Sequence, residues 1–231
     1  MTNELTFTSK LFALYEQRRI KAVEENPFFR VYETEFTKAV AYEDNSIATL
    51  ERICNLADAY CQSMRSNNGH IWQNAVRDML KELYENEEIV VADEVEVNGG
   101  RADIVITPRN NYVVTKGKGW TPSKPRYHKS VKDASQCIMV SCKTQFNITK
   151  IKEDTLASQN FPLYFICGVE CCKNDKQCAS LPSSEAFKSA IQATKAFMVL
   201  KNEEVPDKHK ENECVINFDE MNRQIQLFLT K

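Results

Sequence analysis

Two short β-branched runs constrain this chain more than any other feature. Gly99-Gly100-Arg101-Ala102-Asp103-Ile104-Val105-Ile106-Thr107 is one, and Ile138-Met139-Val140-Ser141-Cys142-Lys143-Thr144 is the other. Asp103 opens the first apolar run and Lys143 closes the second. Neither has a helical period, so both read as buried strands. A carboxylate and an amine at the ends of adjacent strands make a place for a divalent cation, a phosphate and a water. That grouping suits hydrolysis of a phosphodiester, in which a bound cation lowers the pKa of a water and neutralises charge on the phosphorane.

The rest of the chain reads as an α/β or α+β layer with a central mixed sheet flanked by helices. Residues 8–65 read mostly as helix: Leu11, Leu14 and Tyr15 begin one amphipathic face, and Ile47, Leu50, Ile53, Cys54 and Ala57 make another. Pro27 and Asp44-Asn45-Ser46 divide these pieces, with Asn45 or Ser46 as a helix cap. Ser66-Asn67-Asn68-Gly69 reads as a break, followed by a helix over 71–84 with Ile71, Ala75, Met79, Leu80 and Leu83 inward. Ile89 to Val97 reads as a strand, and Asn98-Gly99-Gly100 turns it into the Asp103 strand as a hairpin. Residues 109–134 read as a long segment rich in turn residues, kept out of regular structure by Gly117, Gly119, Pro122 and Pro125. Beyond Lys143 the pattern predicts a short helix over 149–158, a core strand over 163–169, a helix over 183–196 and a closing helix over 222–229.

At 231 residues, with 42% hydrophobic side chains, the chain predicts one elaborated domain with a sizeable core. Within it, residues 1–65 form a helical N-terminal part for dimerisation or for clamping DNA, and 69–231 a catalytic core. A net charge of −2 means that any nucleic-acid site must be a local basic patch. No stretch is long and apolar enough to span a membrane, and the N-terminus lacks a basic head followed by an apolar run. A cytoplasmic setting follows, in which the nine cysteines stay reduced.

Hard cations such as Mg²⁺ take carboxylate and carbonyl oxygens, usually one or two carboxylates with phosphate and water completing the shell. Asp103 is the candidate bridging carboxylate and the backbone carbonyl of Cys142 a second oxygen ligand. Lys143 would orient or help deprotonate the attacking water and stabilise developing negative charge. Arg-Ala-Asp103-Ile-Val-Ile, a linker, then Val-Ser141-Cys142-Lys143 resembles the D…(D/E)xK arrangement of the PD-(D/E)xK nuclease superfamily, type II restriction endonucleases in particular. Ser141 stands where the second acid is usual. In some members with Ser-x-Lys the acid moves onto the following helix, where Glu153 and Asp154 fall here. Glu153 is slightly favoured, though no spacing rule fixes the choice. Gly69-His70-Ile71-Trp72-Gln73-Asn74-Ala75-Val76 resembles the Gly-x-x-aromatic-Glu-x-x-Val helix that often precedes the metal strands. Gln73 occupies the acid position and can offer an oxygen to metal or water; Glu82 is a weaker substitute. The resemblance spans roughly residues 69–169 and implies a restriction-endonuclease-like core.

Seven cations lie between Arg109 and Ala134 against one acid, Asp133, with Tyr112, Trp120 and Tyr127 interleaved. Lys116, Lys118, Lys124, Arg126 and Lys129 are candidate phosphate contacts, since lysine and arginine beside the metal strands gather phosphates and release counterions. Arg126 or Lys124 are candidates to read guanine edges, and Asn110 or Asn111 adenine.

Other constellations carry less. Cys167, Cys171, Cys172 and Cys178 do not match a common structural-zinc spacing, and no histidine lies nearby. None of the three histidines pairs with a cysteine or serine in a nucleophilic context. Trp72 and Phe197 read as core, and Glu85 to Glu88 as a solvated helix end. The expectation is a Mg²⁺-dependent homodimer cutting double-stranded DNA at a short, palindromic sequence. Its rivals are a junction or repair nuclease of the same fold, a catalytically silent DNA-binding module and, more distantly, a zinc protein built on the cysteine cluster.

Overall fold

The chain is described by a computed structural model over residues 6–43, 46–117, 127–143, 158–159, 161–168, 196–200 and 213–230. Three helices come first: α1 (Phe7–Glu24), α2 (Pro27–Ala41) and α3 (Ile47–Tyr84). Each begins at a polar side chain that accepts from the first turn. Thr6 accepts from the Ser9 amide, Asn26 from Phe28 and Phe29, and Ser46 from Thr49. Pro27, at the start of α2, has no amide to leave unpaired there.

Helix α3 runs unbroken through Ser66–Gly69, where the sequence pattern had predicted an interruption. Four poor helix formers cost roughly 3 kcal/mol together. Burial of Trp72, Ala75, Val76, Met79 and Leu80 against the sheet outweighs that. Leu83, expected inward, is exposed, and Tyr84 takes the buried place at the helix end.

The strands are β1 (Ile89–Val97), β2 (Gly100–Pro108), β3 (Tyr112–Lys116), β4 (Tyr127–Val131), β5 (Ile138–Lys143), β6 (Leu163–Gly168), β7 (Ala196–Leu200) and β8 (Val215–Asn217). Helix α4 (Phe218–Leu229) follows, capped by Asn217 and carrying Asp219 and Glu220 in its first turn. The strands form one mixed sheet in the order β3-β4-β1-β2-β5-β6-β7-β8. Pairing is antiparallel for β3/β4, β1/β2 and β2/β5, and parallel for β1/β4 and from β5 through β8. The architecture is α/β, a central mixed sheet flanked by helices, as the sequence predicts.

Two apolar layers sandwich this sheet. One joins Leu11 and Tyr15 of α1, Trp72 and Leu80 of α3, and Phe218 and Met221 of α4 to Val91, Ile104, Ile138, Val140 and Phe165. The other gathers Ala92, Val95, Val97, Val105, Met139, Tyr164 and Ile166. Helix α1 thus shares a core with the strands that follow α3.

Residues 112–116 and 127–131, expected to be irregular, pair as an antiparallel ladder. Val113, Val114 and Thr115 favour a strand in β3, β4 with only Val131 is held by pairing to it, and the glycines and prolines cited against this lie between the two strands. The closing helix starts at Phe218, four residues earlier than the pattern suggests. The helices expected over 149–158 and 183–196 fall almost wholly outside the described residues, although Ala196 itself opens β7. Among the described residues no helix is long and apolar enough to cross a membrane.

Candidate active site

Strands β2 and β5 are neighbours with Ile104 opposite Val140, so Asp103 comes level with Ser141 one step further on. The Asp103 side chain crosses to the end of β5. There its Oδ2 accepts from the Ser141 hydroxyl at 3.2 Å and from the Cys142 amide at 2.8 Å. Oδ1 accepts no hydrogen bond among the described residues. Lys143 ends β5 opposite Gly168 of β6, and strand alternation puts it on the same face as Ser141. Asp103, Cys142 and Lys143 are partly buried and Ser141 fully so.

Helix α3 supports this corner from the helix-covered layer. The Gln73 side-chain amide donates from Nε2 to the Asp103 carbonyl at 3.1 Å. Next to it, Trp72 is fully buried and its indole N–H donates to the Cys167 carbonyl at 3.2 Å. Trp72 therefore fixes α3 against β6 while Gln73 fixes it against β2. Burial pushes the Cys167 thiol well up, and the negative charge of Asp103 adds to this. Glu82 lies nine residues beyond Gln73, about 13 Å along the helix and on its opposite side, and it is exposed. It does not reach the corner.

A backbone feature marks the same spot. In the β1/β2 ladder Asp93 pairs with Ile104 and Val95 with Ala102, and Glu94, which faces Asp103, is skipped. Glu94 has a φ of 54°, a left-handed conformation that L side chains rarely adopt. The register is the same on both sides, so this is a kink without an inserted residue. No residue type in the sequence announces it. The hairpin turn nearby is as expected: Asn98 and Gly99 have φ of 51° and 78°, the pair of positive angles that a two-residue turn requires.

The expected nucleic-acid contacts divide. Lys116 and Asn110 are exposed. Lys129 is two strands from Asp103, about 10 Å, and is tied to Asp93 by bonds from Nζ to the side chain (2.5 Å) and to the backbone carbonyl (3.0 Å). Asn111 is only 3% exposed. Its amide nitrogen donates to the Thr107 hydroxyl and the Asp133 carbonyl, while its oxygen accepts from the Asp133 amide. It is a structural residue, withdrawn from the base contact expected of it. Lys118, Lys124, Arg126, Glu153 and Asp154 lie outside the described residues, as do Cys171, Cys172 and Cys178. Cys167 is a buried strand residue with a free thiol.

An ion-pair network missed in the sequence ties α1, α3 and β1 to the basic hairpin. Arg77 of α3 bridges Asp78 and Asp93 at 2.7 and 2.6 Å, and Arg18 of α1 reaches Asp78 at 2.5 Å. Burial alone pushes the Asp93 carboxyl upward. Hydrogen bonds and charge from Lys129 and Arg77 overcome this and hold it down at about 2. Its members come from four separate elements, so no local spacing signals it.

No family model matches the chain, and no curated protein matches it. Among solved structures it is similar to metal-depleted Ecl18kI in complex with uncleaved, modified DNA. That likeness has 13% sequence identity, covers 98% of this chain and 79% of the other, and has a TM-score of 0.49.

Proposed function

We propose that the chain is a Mg²⁺-dependent type II restriction endonuclease, hydrolysing phosphodiester bonds of double-stranded DNA at a short palindromic sequence as a homodimer. The observation that carries this reading is the anchored carboxylate. Asp103 is gripped on one oxygen by Ser141 and Cys142, its other oxygen has no hydrogen-bond donor among the described residues, and Lys143 follows one residue on.

The donor set fits a hard cation. Asp103 Oδ1 and the Cys142 carbonyl are oxygen donors, and Mg²⁺ commonly takes one or two carboxylates beside phosphate and water. Glu153 or Asp154 would supply the second acid, and Gln73 an amide oxygen nearby. When bound, the ion would acidify a water and neutralise charge on the phosphorane. The protein's own part is positional. Ser141 and the Cys142 amide fix the rotamer of Asp103, and Gln73 fixes its backbone. Lys143 orients the attacking water and offsets negative charge as the in-line displacement proceeds, leaving the 5′-phosphate and 3′-hydroxyl that the family resemblance implies. Lys116, Lys118, Lys124, Arg126 and Asn110 would follow the phosphates and base edges of the duplex. A two-fold protein on a palindrome brings one such site to each strand.

One observation favours a second reading. Ser141 and Gln73 stand where acids are common in the family resembled, which suits a DNA-binding module without cleavage. Digestion of a sequenced plasmid with Mg²⁺ or EDTA, beside Lys143→Ala and Asp103→Asn, separates the readings. Discrete Mg²⁺-dependent fragments lost in both variants are expected. Intact plasmid under every condition, with DNA still shifted on a gel, overturns the catalytic assignment. Smears or nicks confined to branched DNA point to a structure-specific nuclease.

A further inference from the structure

The tip of the β1/β2 hairpin extends past its neighbours in the sheet. Strand β2 pairs with β5 only from Ile104 onward, and β1 meets β4 at Glu96 alone. The pairs Val95–Ala102, Glu96–Arg101 and Val97–Gly100 therefore run on as a two-stranded ribbon. One face of that ribbon is apolar and buried, through Val95, Val97 and Ala102. By strand alternation the other face carries Glu96 and Arg101, both exposed.

A cleft of about 750 Å³ opens between the ribbon and β4, and its charged lining is Glu94, Glu96, Arg101, His128 and Lys129. Each cation there meets a carboxylate: Arg101 pairs with Glu94, His128 with Glu96 at 3.2 Å, and Lys129 with Asp93. Arg101 thus passes over Glu96, its partner across the ladder, for the left-handed Glu94 on the diagonal. A track for phosphates alone carries cations in excess, and carboxylates set along it would repel the backbone. A donor fork beside an acceptor matches the edge of a base pair instead. Arginine donates twice to guanine O6 and N7, and a carboxylate accepts from cytosine N4.

The placement agrees with this chemistry. Carried past Ile104–Val140, the β2/β5 register brings Arg101 level with Lys143, so the ribbon and the candidate active site share one end of the sheet. Arg101 starts about 7 Å from Asp103, roughly two base-pair steps of about 3.4 Å. The major groove is wide enough to admit a two-stranded ribbon. We propose that Arg101 and Glu94 read a G·C pair in the major groove, about two to four steps from the bond that is cut. Their ion pair opens as Arg101 takes the guanine and Glu94 the cytosine. This rests on the function proposed above and names where its sequence selectivity lies.

The test is binding of the whole chain to a pool of randomised duplexes, without a divalent cation and again with Ca²⁺, with sequencing of the bound fraction. The wild type should enrich a short site that holds a fixed G·C pair. Arg101→Ala should relax the choice at that pair about 10- to 100-fold and leave the other positions of the site unchanged. Glu94→Gln should relax the same pair to a smaller degree. Arg101→Lys keeps the charge and loses the planar fork, so it should relax the pair while the salt dependence of binding stays that of the wild type. That variant also carries the test if alanine unfolds the chain. Uniform weakening over all sequences with a shallower salt dependence makes Arg101 a phosphate contact and overturns the proposal. So does a wild type that binds every duplex alike, or a site whose preferences survive all three substitutions. Selective binding by a wild type that cuts no plasmid with Mg²⁺ refutes the nuclease reading alone, and failure to bind any duplex overturns both.

Discussion

Replacing Asp93 with asparagine leaves the Arg77 guanidinium and the Lys129 ammonium facing a neutral amide. The magnitude follows from the carboxyl's acidity. Between its ordinary value of 3.8 and its value of about 2 in the fold lies about 2.5 kcal/mol at neutral pH. The side chain is 22% exposed, and solvent screening trims this to about 2 kcal/mol. For a chain of this size that is a loss of about 4–8 °C in Tm. The same carboxyl also holds β4, which meets β1 in the ladder at the single pair Glu96–Ser130. Lys129 on Asp93 and His128 on Glu96 (3.2 Å) add side-chain attachments between those strands.

The pH dependence makes this prediction specific. A carboxyl with a depressed pKa contributes fully above its unfolded value, and the contribution disappears as pH falls through its folded value. Urea titrations should therefore separate wild type from Asp93→Asn by about 2 kcal/mol at pH 7 and by about half that at pH 3. Hydrogen exchange should quicken in β3 and β4 before it does in β5 and β6. A difference under about 0.5 kcal/mol at pH 7, or one that does not shrink by pH 3, refutes the reasoning.

Ser141→Ala removes a long hydrogen bond to a charged acceptor. It should slow cleavage about tenfold while leaving Tm almost unchanged, and a rate within twofold of wild type in a plasmid assay would assign the whole grip to the Cys142 amide. Gln73→Glu replaces a donor to the Asp103 carbonyl by a carboxylate and should cost about 1–3 kcal/mol without metal. Added Mg²⁺ should then raise the variant's Tm more than that of the wild type in a thermal melt, and equal responses would place Gln73 away from the cation. Glu94→Gly relieves a left-handed conformation worth about 1–2 kcal/mol and forfeits an exposed pair with Arg101, so urea stability should hold or rise. Glu94→Val should lose about 2 kcal/mol or more, and equal losses from the two changes would refute the kink.

The strands that carry Asp103 and Lys143 were legible because their signal is local: an unbroken β-branched run bounded by turn residues. The Asn98–Gly99 hairpin was legible for the same reason, since few residues tolerate two positive φ angles in succession. Ser66–Gly69 misled because a cluster of polar residues and a glycine marks a turn only when no tertiary packing opposes it. Here burial of Trp72 and its neighbours keeps the helix unbroken. The β3 and β4 strands were hidden by the lysines and turn residues around them, although each is short and pairs only with its neighbours. Asn111 shows the limit from the other side. An asparagine in a basic segment has the right chemistry for a base edge, and only the fold reveals that Thr107 and Asp133 have already taken its amide.

The kink at Glu94 explains how a carboxylate can stand within a sheet closed on both faces. Before it, Val91 faces the helices while Val90 and Ala92 face the other layer; after it, Val95 and Val97 face that other layer, against the parity of Val91. On β2 the same change falls between Ala102, in the second layer, and Ile104, in the first. Asp103 therefore occupies the position where alternation changes phase and neither apolar layer claims the side chain. A regular strand there would drive the carboxylate into one layer unpaired, or turn it away from β5, and either costs several kcal/mol. The left-handed residue costs less, and it leaves a break in the ladder at Glu94–Asp103. At that break the Asp103 carbonyl takes its hydrogen bond from the Gln73 side chain. The strained strand and the polar residue at an otherwise core-facing point of α3 are thus two parts of one arrangement, which fixes the backbone and the carboxylate of Asp103 together.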